Sequence, residues 1–277
     1  MTDAMLSSSS RESGSINIYT PEELENIRSA CNVVARCLDS LTPIIKPGTT
    51  TEEIDDFVLK FGMENNAIPA TLNYRGYKKS CCTSINHVIC HGIPSNKQLR
   101  EGDIVNVDVT YVVNGWHGDS SRMYPVGKIK RAAERILQVT YESLYKGIAA
   151  VKLNANIEDI GKAIQRYAHS ERYSVVEVFC GHGIGKSFHE KPEILHFYDP
   201  LYPSVGTFQE GMVFTIEPML NVGGSSAKVL SDGWTAVTRD RSLSAQYEHT
   251  IGITKAGCEI FTLSPNNLGQ PGISPIQ

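Results

Sequence analysis

Two carboxylates fall on one face of a predicted β-hairpin, where acids are well placed to bind a metal. The segment "NVDVTYVVNGWHGDS" (106–120) alternates valines with polar residues, and Asn114-Gly115 favours a two-residue type I′ turn. This turn pairs Thr110 with Asp119 and makes Asp108 the diagonal neighbour of Asp119 on the same face. Two carboxylates this close repel each other unless a proton or a cation lies between them. The alternative interpretation is a solvated polar face without a chemical role.

Three further residues could complete such a metal site. Glu217 follows the strand-like run "MVFTI" and Glu248 interrupts "SAQYEHTIGIT", although β-propensity disfavours acids at such positions. His182 lies between two glycines, after an apolar run (Val175–Phe179) that predicts another strand. Four carboxylates and one imidazole favour Mn, Fe, Co or Zn over a thiolate-bound zinc. We therefore expect a site for two divalent metal ions that share carboxylates and hold a hydroxide between them.

A phosphate-binding loop is the rival interpretation of the glycines around His182. A strand, a glycine loop and Lys186-Ser187 resemble the pattern G-x-x-x-x-G-K-[ST]. The first glycine of that pattern would fall on Cys180, and Pro192 comes too early for the long helix that must follow. The spacing therefore argues against nucleotide hydrolysis.

Two other histidines are candidates for catalysis. His91 in "CHGIP" and His189 in "FHEKP" lie in loops bounded by Gly and Pro, where functional side chains concentrate. Trp234 follows the turn "SDG" and could either line a pocket or pack internally. The remaining histidines are predicted to be surface residues or satisfied structural residues: His87, His117, His169, His196 and His249.

The composition excludes several classes of protein. The chain has 277 residues, a net charge of −4 and an apolar content of 41%, which suits an ordinary core and argues against a dedicated nucleic-acid or membrane binder. No apolar run approaches the roughly 18 residues of a transmembrane helix. The N-terminal segment lacks the apolar core of a secretory signal. Seven cysteines without a C-x-x-C pair suggest no disulfide framework, so we expect a cytoplasmic protein.

The elements that must position these residues occur twice along the chain. Helical periodicity, with a capping box at Thr20–Glu23, predicts two helices before a run of strands, and the second half repeats this order. The segment 46–61 aligns with 152–167 and suggests an internal duplication. The predicted helices cover about 20–41, 51–61, 131–150 and 157–168.

The predicted organisation is a single catalytic domain between two tails. The Ser-rich start of the chain is interpreted as a disordered tail, and the Gly/Pro-rich end as a flexible one. The predicted regions are a tail at 1–16, a catalytic domain at 17–264 with halves at about 20–126 and 130–264, and a tail at 265–277.

Five segments, in this order, closely resemble type I methionine aminopeptidases of the bacterial or organellar kind, members of the M24 "pita-bread" family. They are "CTSINHVICHGIP", "EGDIVNVDVTYVVNGWHGDSSRMY", "CGHGIGKSFHEKPEI", "EGMVFTIEPM" and "DGWTAVTRDRSLSAQYEHTIGIT". The resemblance implies the α/β pita-bread fold of creatinases and aminopeptidases. In that fold two pseudo-symmetric halves, with a curved antiparallel sheet covered by helices, surround a dinuclear metal cleft. This agrees with the internal duplication.

The resemblance also implies roles for individual residues. The implied metal ligands are Asp108, Asp119, His182, Glu217 and Glu248, with Asp119 and Glu248 bridging two divalent ions (Co, Mn, Fe or Zn) and Glu217 also acting as the general base. His91 and His189 would bind the substrate and stabilise the tetrahedral oxyanion. The implied methionine pocket consists of Tyr74, Tyr77, Cys82, Phe188 and Trp234, and thioethers pack well against aromatic rings. Thr71 and Arg75 depart from the family pattern, which has a cysteine and a histidine there.

The implied reaction is removal of the initiator methionine from nascent polypeptides with a small second residue. The expected partners are N-terminal methionyl peptides and nascent chains, with the ribosome as a candidate, no nucleic acid and no membrane, and we expect a monomer. One alternative is an X-Pro aminopeptidase or prolidase, whose usual additional N-terminal domain does not fit this length. The other is a non-catalytic pita-bread binding protein, against which the complete ligand set argues.

Overall fold

Each half of the chain consists of two α-helices followed by antiparallel strands. The computed structural model describes residues 15–201 and 206–271, and within these ranges it contains four α-helices. They are α1 (Pro21–Leu41), α2 (Thr51–Glu64), α3 (Arg131–Ala150) and α4 (Asp159–Ser170). The first-half strands are β1 (Ile68–Pro69), β2 (Cys82–Ile85), β3 (Val88–Cys90), β4 (Ile104–Val113) and β5 (Trp116–Pro125), with a 3₁₀ turn at Tyr74–Gly76. The second-half strands are β6 (Ser174–Val175), β7 (Gly181–Gly183), β8 (Glu190–Ile194), β9 (Val213–Ile216), β10 (Met219–Asn221), β11 (Ala227–Val229), β12 (Ala236–Thr238), β13 (Ser244–Gln246), β14 (His249–Thr254) and β15 (Gly257–Ile260).

Local sequence signals set the ends of the first two helices. The backbone N–H of Glu23 donates to Thr20 Oγ1 at 3.3 Å, while the backbone N–H of Thr20 donates to the Glu23 carboxylate at 2.9 Å. The predicted capping box is therefore confirmed, and Thr50 and Glu53 form a second one at the start of α2. Helix α4 begins at Asp159, two residues later than its predicted start at 157.

The strands form four antiparallel groups. In the first half, β4 pairs with β1, β2 and β5, and in the second half a five-stranded sheet has the order β15-β14-β9-β7-β8. Two three-stranded groups have the orders β13-β10-β6 and β11-β12-β3. Strand β3 belongs to the first half and β12 to the second, so this last group joins the two halves.

The helices cover one face of each sheet. Val105, Val107 and Val109 of β4 face a core that also contains residues of α1 and α2. Ile54 of α2 and Ile160 of α4, which the duplication aligns, are both fully buried in the two separate cores. Because side chains alternate along a strand, the polar residues between the valines face away from the helices. That opposite face holds the candidate site.

The tails are described only in part. Residues 1–14 of the predicted disordered tail and 272–277 of the predicted flexible tail lie outside the described residues. Within the described ranges, none of the helices combines the length and apolarity that crossing a bilayer requires. All seven cysteines are free.

Candidate active site

The β4–β5 hairpin has the register predicted from its Asn-Gly turn. Thr110 pairs with Asp119, and Asp108 pairs with Ser121, which makes Asp108 the diagonal neighbour of Asp119. The Thr110 hydroxyl donates to Asp119 Oδ1 at 2.7 Å, and Asp119 is 3% exposed. The two acids therefore lie on the same face of the hairpin, as predicted.

Three residues of the second half lie in or next to short strands and point toward Asp108 and Asp119. Glu217 directly follows β9, Glu248 lies in the break between β13 and β14, and His182 is the central residue of β7. A Cβ on Gly183 would lie 2.2 Å from the Lys191 carbonyl oxygen, so β7 tolerates only glycine there. The strand predicted for 175–179 was wrong beyond Val175, where β6 ends, because Phe179 instead packs against His91 with ring centroids 5.4 Å apart.

These side chains converge on a small volume. Ligand atoms of Asp119, His182 and Glu248 all lie within 4.8 Å of one another. The Nε2 atom of His182 is 3.7 Å from Asp119 Oδ2 and 3.7 Å from Glu217 Oε1. We call Asp108, Asp119, Glu217 and Glu248 the carboxylate cluster. In the described part of the chain, no Lys or Arg forms an ion pair with any of its members.

Burial and mutual repulsion make the carboxylate cluster hard to ionise. Burial raises the pKa of Asp108 to about 7 and the pKa of Glu217 to about 8. Burial, followed by repulsion from neighbouring carboxylates, raises the pKa of Asp119 and of Glu248 well above the usual range. The fold therefore buries these acids and also brings Asp119, Glu217 and Glu248 close to other carboxylates, and both effects favour the protonated form.

His182 presents a free nitrogen lone pair to the carboxylate cluster. Its Nδ1 lies 3.0 Å from the Gly183 carbonyl oxygen, which can only accept a hydrogen bond. Nδ1 must therefore carry the proton, which leaves Nε2 as the lone-pair atom. Burial lowers the pKa of His182 to about 4, so the ring is neutral near pH 7.

The donor set fits divalent metal ions. Cations would relieve the repulsion among the four carboxylates, and the neutral imidazole offers one nitrogen ligand. An oxygen-rich set with one imidazole suits Mn, Fe, Co or Zn and lacks the thiolates of a structural zinc site. The site residues can thus hold metal, as the sequence predicts.

A cleft of about 1540 Å³ joins the carboxylate cluster to an aromatic slot. The slot contains Tyr77 edge-on to Trp234 with ring centroids 5.1 Å apart, and Tyr74 against Phe188 at 5.0 Å. All twelve residues predicted for the site line this one cleft: Tyr74, Tyr77, Cys82, His91, Asp108, Asp119, His182, Phe188, His189, Glu217, Trp234 and Glu248. The structure therefore brings the predicted residues together, while their individual roles stay predictions.

The two candidate catalytic histidines lie beside the carboxylate cluster and are neutral. The rings of His189 and His182 have centroids 4.2 Å apart, and His189 Nδ1 is 3.0 Å from the Tyr74 hydroxyl. Burial, with a smaller contribution from His182, lowers the pKa of His189 to about 2, and burial also lowers the pKa of His91. A neutral histidine can donate from only one nitrogen, so its neighbours decide which one.

Thr71 and Arg75, the two residues that depart from the family pattern, also line the cleft. Thr71 is buried and its hydroxyl donates to the Lys79 carbonyl oxygen at 3.1 Å, so it needs no partner from a substrate. Arg75 is exposed, and its guanidinium carbon lies 5.4 Å from the Tyr74 ring centroid.

Several residues that support the site were missed by the sequence reasoning. The hydroxyl of Thr215 and the amide of Gln246 donate to the two oxygens of Glu217 at 2.8 and 3.2 Å. Thr215 lies two residues before Glu217, and side chains two positions apart in a strand point to the same face. The sequence predicted His196 to be a surface residue or a satisfied structural residue. The residue is fully buried, and its Nε2 accepts from the Glu217 backbone N–H at 3.0 Å. Its Nδ1 has no hydrogen-bond partner among the described residues. No sequence signal pointed to that contact.

Comparison with known proteins identifies close relatives. A family model described as metallopeptidase family M24 matches residues 25–255. The chain is 52% identical over 261 residues to a methionine aminopeptidase of Rickettsia prowazekii, which covers 92% of this chain and 98% of the relative. It is 49% identical over 253 residues to a methionine aminopeptidase of Escherichia coli strain K12, which covers 90% and 94%.

Solved structures agree with the sequence matches. The crystal structure of the Rickettsia prowazekii methionine aminopeptidase superposes with a TM-score of 0.87 at 51% identity and covers 90% of this chain and 100% of that one. A prolidase from Pyrococcus furiosus superposes with a TM-score of 0.69 at 22% identity, covering 88% of this chain and 65% of that one. At this lower identity the likeness concerns the fold alone.

Proposed function

The chain belongs to metallopeptidase family M24 and is a methionyl aminopeptidase, and we propose that it removes the initiator methionine from nascent polypeptides whose second residue is small. The fold is the α/β pita-bread fold predicted from the sequence. The observation that carries the proposal is the cleft itself, in which an aromatic slot opens directly onto the carboxylate cluster. A substrate side chain in the slot would leave its peptide bond beside that cluster.

The proposed metal ligands are Asp108, Asp119, His182, Glu217 and Glu248. Two divalent ions bound by them would act as Lewis acids and lower the pKa of a water molecule that attacks the peptide carbonyl. The chain's own contribution is to orient the donors: Thr110 fixes one oxygen of Asp119, and Gly183 fixes the tautomer of His182.

Glu217 is the proposed general base. Its two oxygens are oriented by the Thr215 hydroxyl and the Gln246 amide, and its backbone N–H is held by His196. A carboxylate fixed in this way accepts the proton of the attacking water and delivers it to the leaving amine. The result is cleavage of one peptide bond with uptake of one water molecule.

His91 and His189 are the proposed substrate donors. Both rings are neutral, and each can donate one N–H to the carbonyl oxygen of the scissile bond. Such donors are most useful where the carbonyl oxygen becomes negative in the tetrahedral transition state.

The aromatic slot is the proposed methionine pocket. Tyr74, Tyr77, Phe188 and Trp234 offer ring faces and edges to a thioether, and Cys82 is buried beside them. The five residues of the slot are uncharged, so burial of a charged side chain among them is strongly unfavourable. We attribute the preference for a small second residue to crowding against the segments that carry His182 and His189.

Tripeptides that differ in the first or in the second residue test the proposal. Enzyme stripped of metal and reconstituted with each divalent ion in turn should cleave Met-Ala-Ser, should accept norleucine nearly as well as methionine, and should reject Lys or Glu at the first position. A single isosteric group changes binding in an apolar pocket by only about 1–3 kcal/mol. Equal kcat/KM for Met-Ala-Ser and Met-Arg-Ser would contradict the small-residue preference, and preferential cleavage of Ala-Pro peptides would instead support the prolidase-like alternative.

A further inference from the structure

Two neighbouring histidines in the cleft differ in the partner of Nδ1. The His182 and His189 rings have centroids 4.2 Å apart. Nδ1 of His182 faces the Gly183 carbonyl oxygen at 3.0 Å, whereas Nδ1 of His189 faces the Tyr74 hydroxyl, also at 3.0 Å. A carbonyl can only accept, but a phenol can donate. The two partners therefore allow opposite tautomers in adjacent rings.

The Tyr74 hydroxyl is the natural donor in its pair. Across residues 15–201 and 206–271, His189 Nδ1 is the one hydrogen-bond partner found for this hydroxyl. If Nδ1 accepts its proton, the neutral His189 ring must carry its own proton on Nε2. If Nδ1 donated instead, Nε2 would hold a lone pair and could not donate to a substrate carbonyl.

We propose that Tyr74 is a positioning residue whose hydroxyl donates to His189 Nδ1 and so fixes Nε2–H as the donor to the substrate carbonyl. This inference rests on the proposed function, in which His189 contacts the substrate. It gives Tyr74 a second task beyond lining the methionine slot. The Gly183 carbonyl does the converse for His182, whose Nε2 it leaves free for metal.

The segment carrying Tyr74 is held in a tight turn. The backbone N–H of Asn73 donates to the Tyr77 carbonyl at 2.7 Å, and the backbone N–H of Tyr77 donates to the Tyr74 carbonyl at 2.9 Å. Asn73 and Arg75 have φ values of 68° and 45°, in the left-handed region that such a turn requires. Phe188 packs against the Tyr74 ring with centroids 5.0 Å apart. The phenol thus has a defined direction.

The segment carrying His189 is fixed independently. The Glu190 carboxylate accepts from the backbone N–H of Ser187 at 2.8 Å, from the Tyr19 hydroxyl at 2.6 Å and from the Asn17 side chain at 2.8 Å. These contacts tie the segment to the N-terminal part of the chain, and the ring contacts of Tyr74 with Phe188 and His189, at centroid distances of 5.0 and 5.3 Å, do not involve the hydroxyl. The pair of Tyr74 and His189 therefore joins two separately anchored segments, and removing the hydroxyl should leave both in place.

Tyr74→Phe tests the proposal because it removes the hydroxyl and keeps the ring. For Met-Ala-Ser we expect kcat to fall by about 3- to 10-fold, the range for one neutral hydrogen bond, with KM changed less than about twofold. A rise in KM at unchanged kcat would show that the hydroxyl serves only the pocket and would overturn the proposal.

A double-mutant cycle shows whether Tyr74 acts through His189. In the His189→Ala background, Tyr74→Phe should cause no further loss of kcat. Tyr77→Phe is the matched control, because its hydroxyl donates to the Cys81 and Gly92 carbonyls and contacts no histidine, so its effect should be additive with His189→Ala. Additive losses for Tyr74→Phe and His189→Ala would contradict the coupling.

Nitrogen NMR of histidine side chains in the zinc-loaded enzyme reads the tautomer without relying on turnover. The His189 signals are assigned by their absence in His189→Ala. We expect a proton on Nε2 of His189 and on Nδ1 of His182 in the wild type. A proton on Nδ1 of His189 would overturn the proposal even if the enzyme is active. If the wild type releases no methionine, the proposed function fails, and the tautomer still decides this inference.

Discussion

The buried carboxylate of Asp39 and the carboxylate cluster differ in whether a positively charged side chain lies beside them. Asp39, near the end of α1, is 5% exposed and its Oδ1 lies 2.8 Å from Nη1 of the buried Arg122 on β5. The Ser264 hydroxyl and the Asn266 side chain donate to the same carboxylate at 2.7 and 2.9 Å. This site contains its own counter-charge.

The carboxylate cluster has hydrogen bonds but no counter-charge from the described residues. Thr110, Thr215 and Gln246 donate to its oxygens, and all three are neutral. Neutral donors satisfy lone pairs, yet they offset neither the burial of these carboxyls nor the smaller repulsion between them, and both raise the pKa values. The comparison teaches that hydrogen-bond satisfaction and charge compensation are separate requirements for a buried carboxylate.

The largest expected effect comes from changing a member of the carboxylate cluster. Glu248→Gln and Asp108→Asn should each bind less metal and lose about 10³-fold or more in kcat/KM, since even the outer partners of metal ligands contribute 10–100-fold. The double variant should lose little more, because the ligands act as a unit. Metal analysis and Met-Ala-Ser kinetics measure both. Full metal content with unchanged turnover in either variant would remove the residue from the ligand set.

Substitution of Asp39, whose charge is compensated by Arg122, should lower the stability of the protein and leave its metal content unchanged. Asp39→Asn leaves the Arg122 charge buried without its partner, so the free energy of unfolding should fall by about 3–5 kcal/mol. In the metal-free protein, Asp119→Asn should act in the opposite direction, because it removes one of several repelling charges. Urea unfolding of the two metal-free variants makes the comparison. A shift of the same sign in both would show that the two sites do not differ as described.

Substitution of His91 and His189, the two proposed substrate donors, tests the boundary of the proposed metal site. His91→Ala and His189→Ala should each lower kcat by about 10²-fold, the scale for losing one oxyanion donor. Their metal content should match the wild type, since neither is a proposed ligand. If either variant is isolated without metal, that histidine belongs to the metal site and the assignment of roles is wrong.

The last expected effect is a pH dependence of the metal-free protein. The pKa of Glu217 is raised from 4.5 to about 8 on folding, so between these pH values the unfolded chain loses this proton while the folded chain keeps it. Stability therefore falls as the pH rises through this window. Glu217→Gln should show a flatter profile than the wild type in chemical unfolding at pH 5 and pH 8. Parallel profiles would contradict the raised pKa.

Much of the local structure around the site followed from short-range signals. Asn114-Gly115 and the alternating valines predicted the β4–β5 register, and the capping box predicted the start of α1. These signals suffice because turn geometry and side-chain alternation depend on residues a few positions apart. The strand predicted for 175–179 was wrong beyond Val175 because this prediction also rested on local pattern. A local pattern could not show that Phe179 packs against His91.

The sequence by itself determined which residue types could bind a metal, and the family resemblance collected them into one ligand set. Only the tertiary structure decided which carboxylates carry a counter-charge and which do not. Asp39 and Asn266 are 227 positions apart, and Tyr74 and His189 are 115 apart. Such pairs form because the fold brings together segments that are distant in sequence, and no local pattern in either segment indicates its partner. Charge compensation is a property of that packing, since a carboxylate's pKa depends on its neighbours in space.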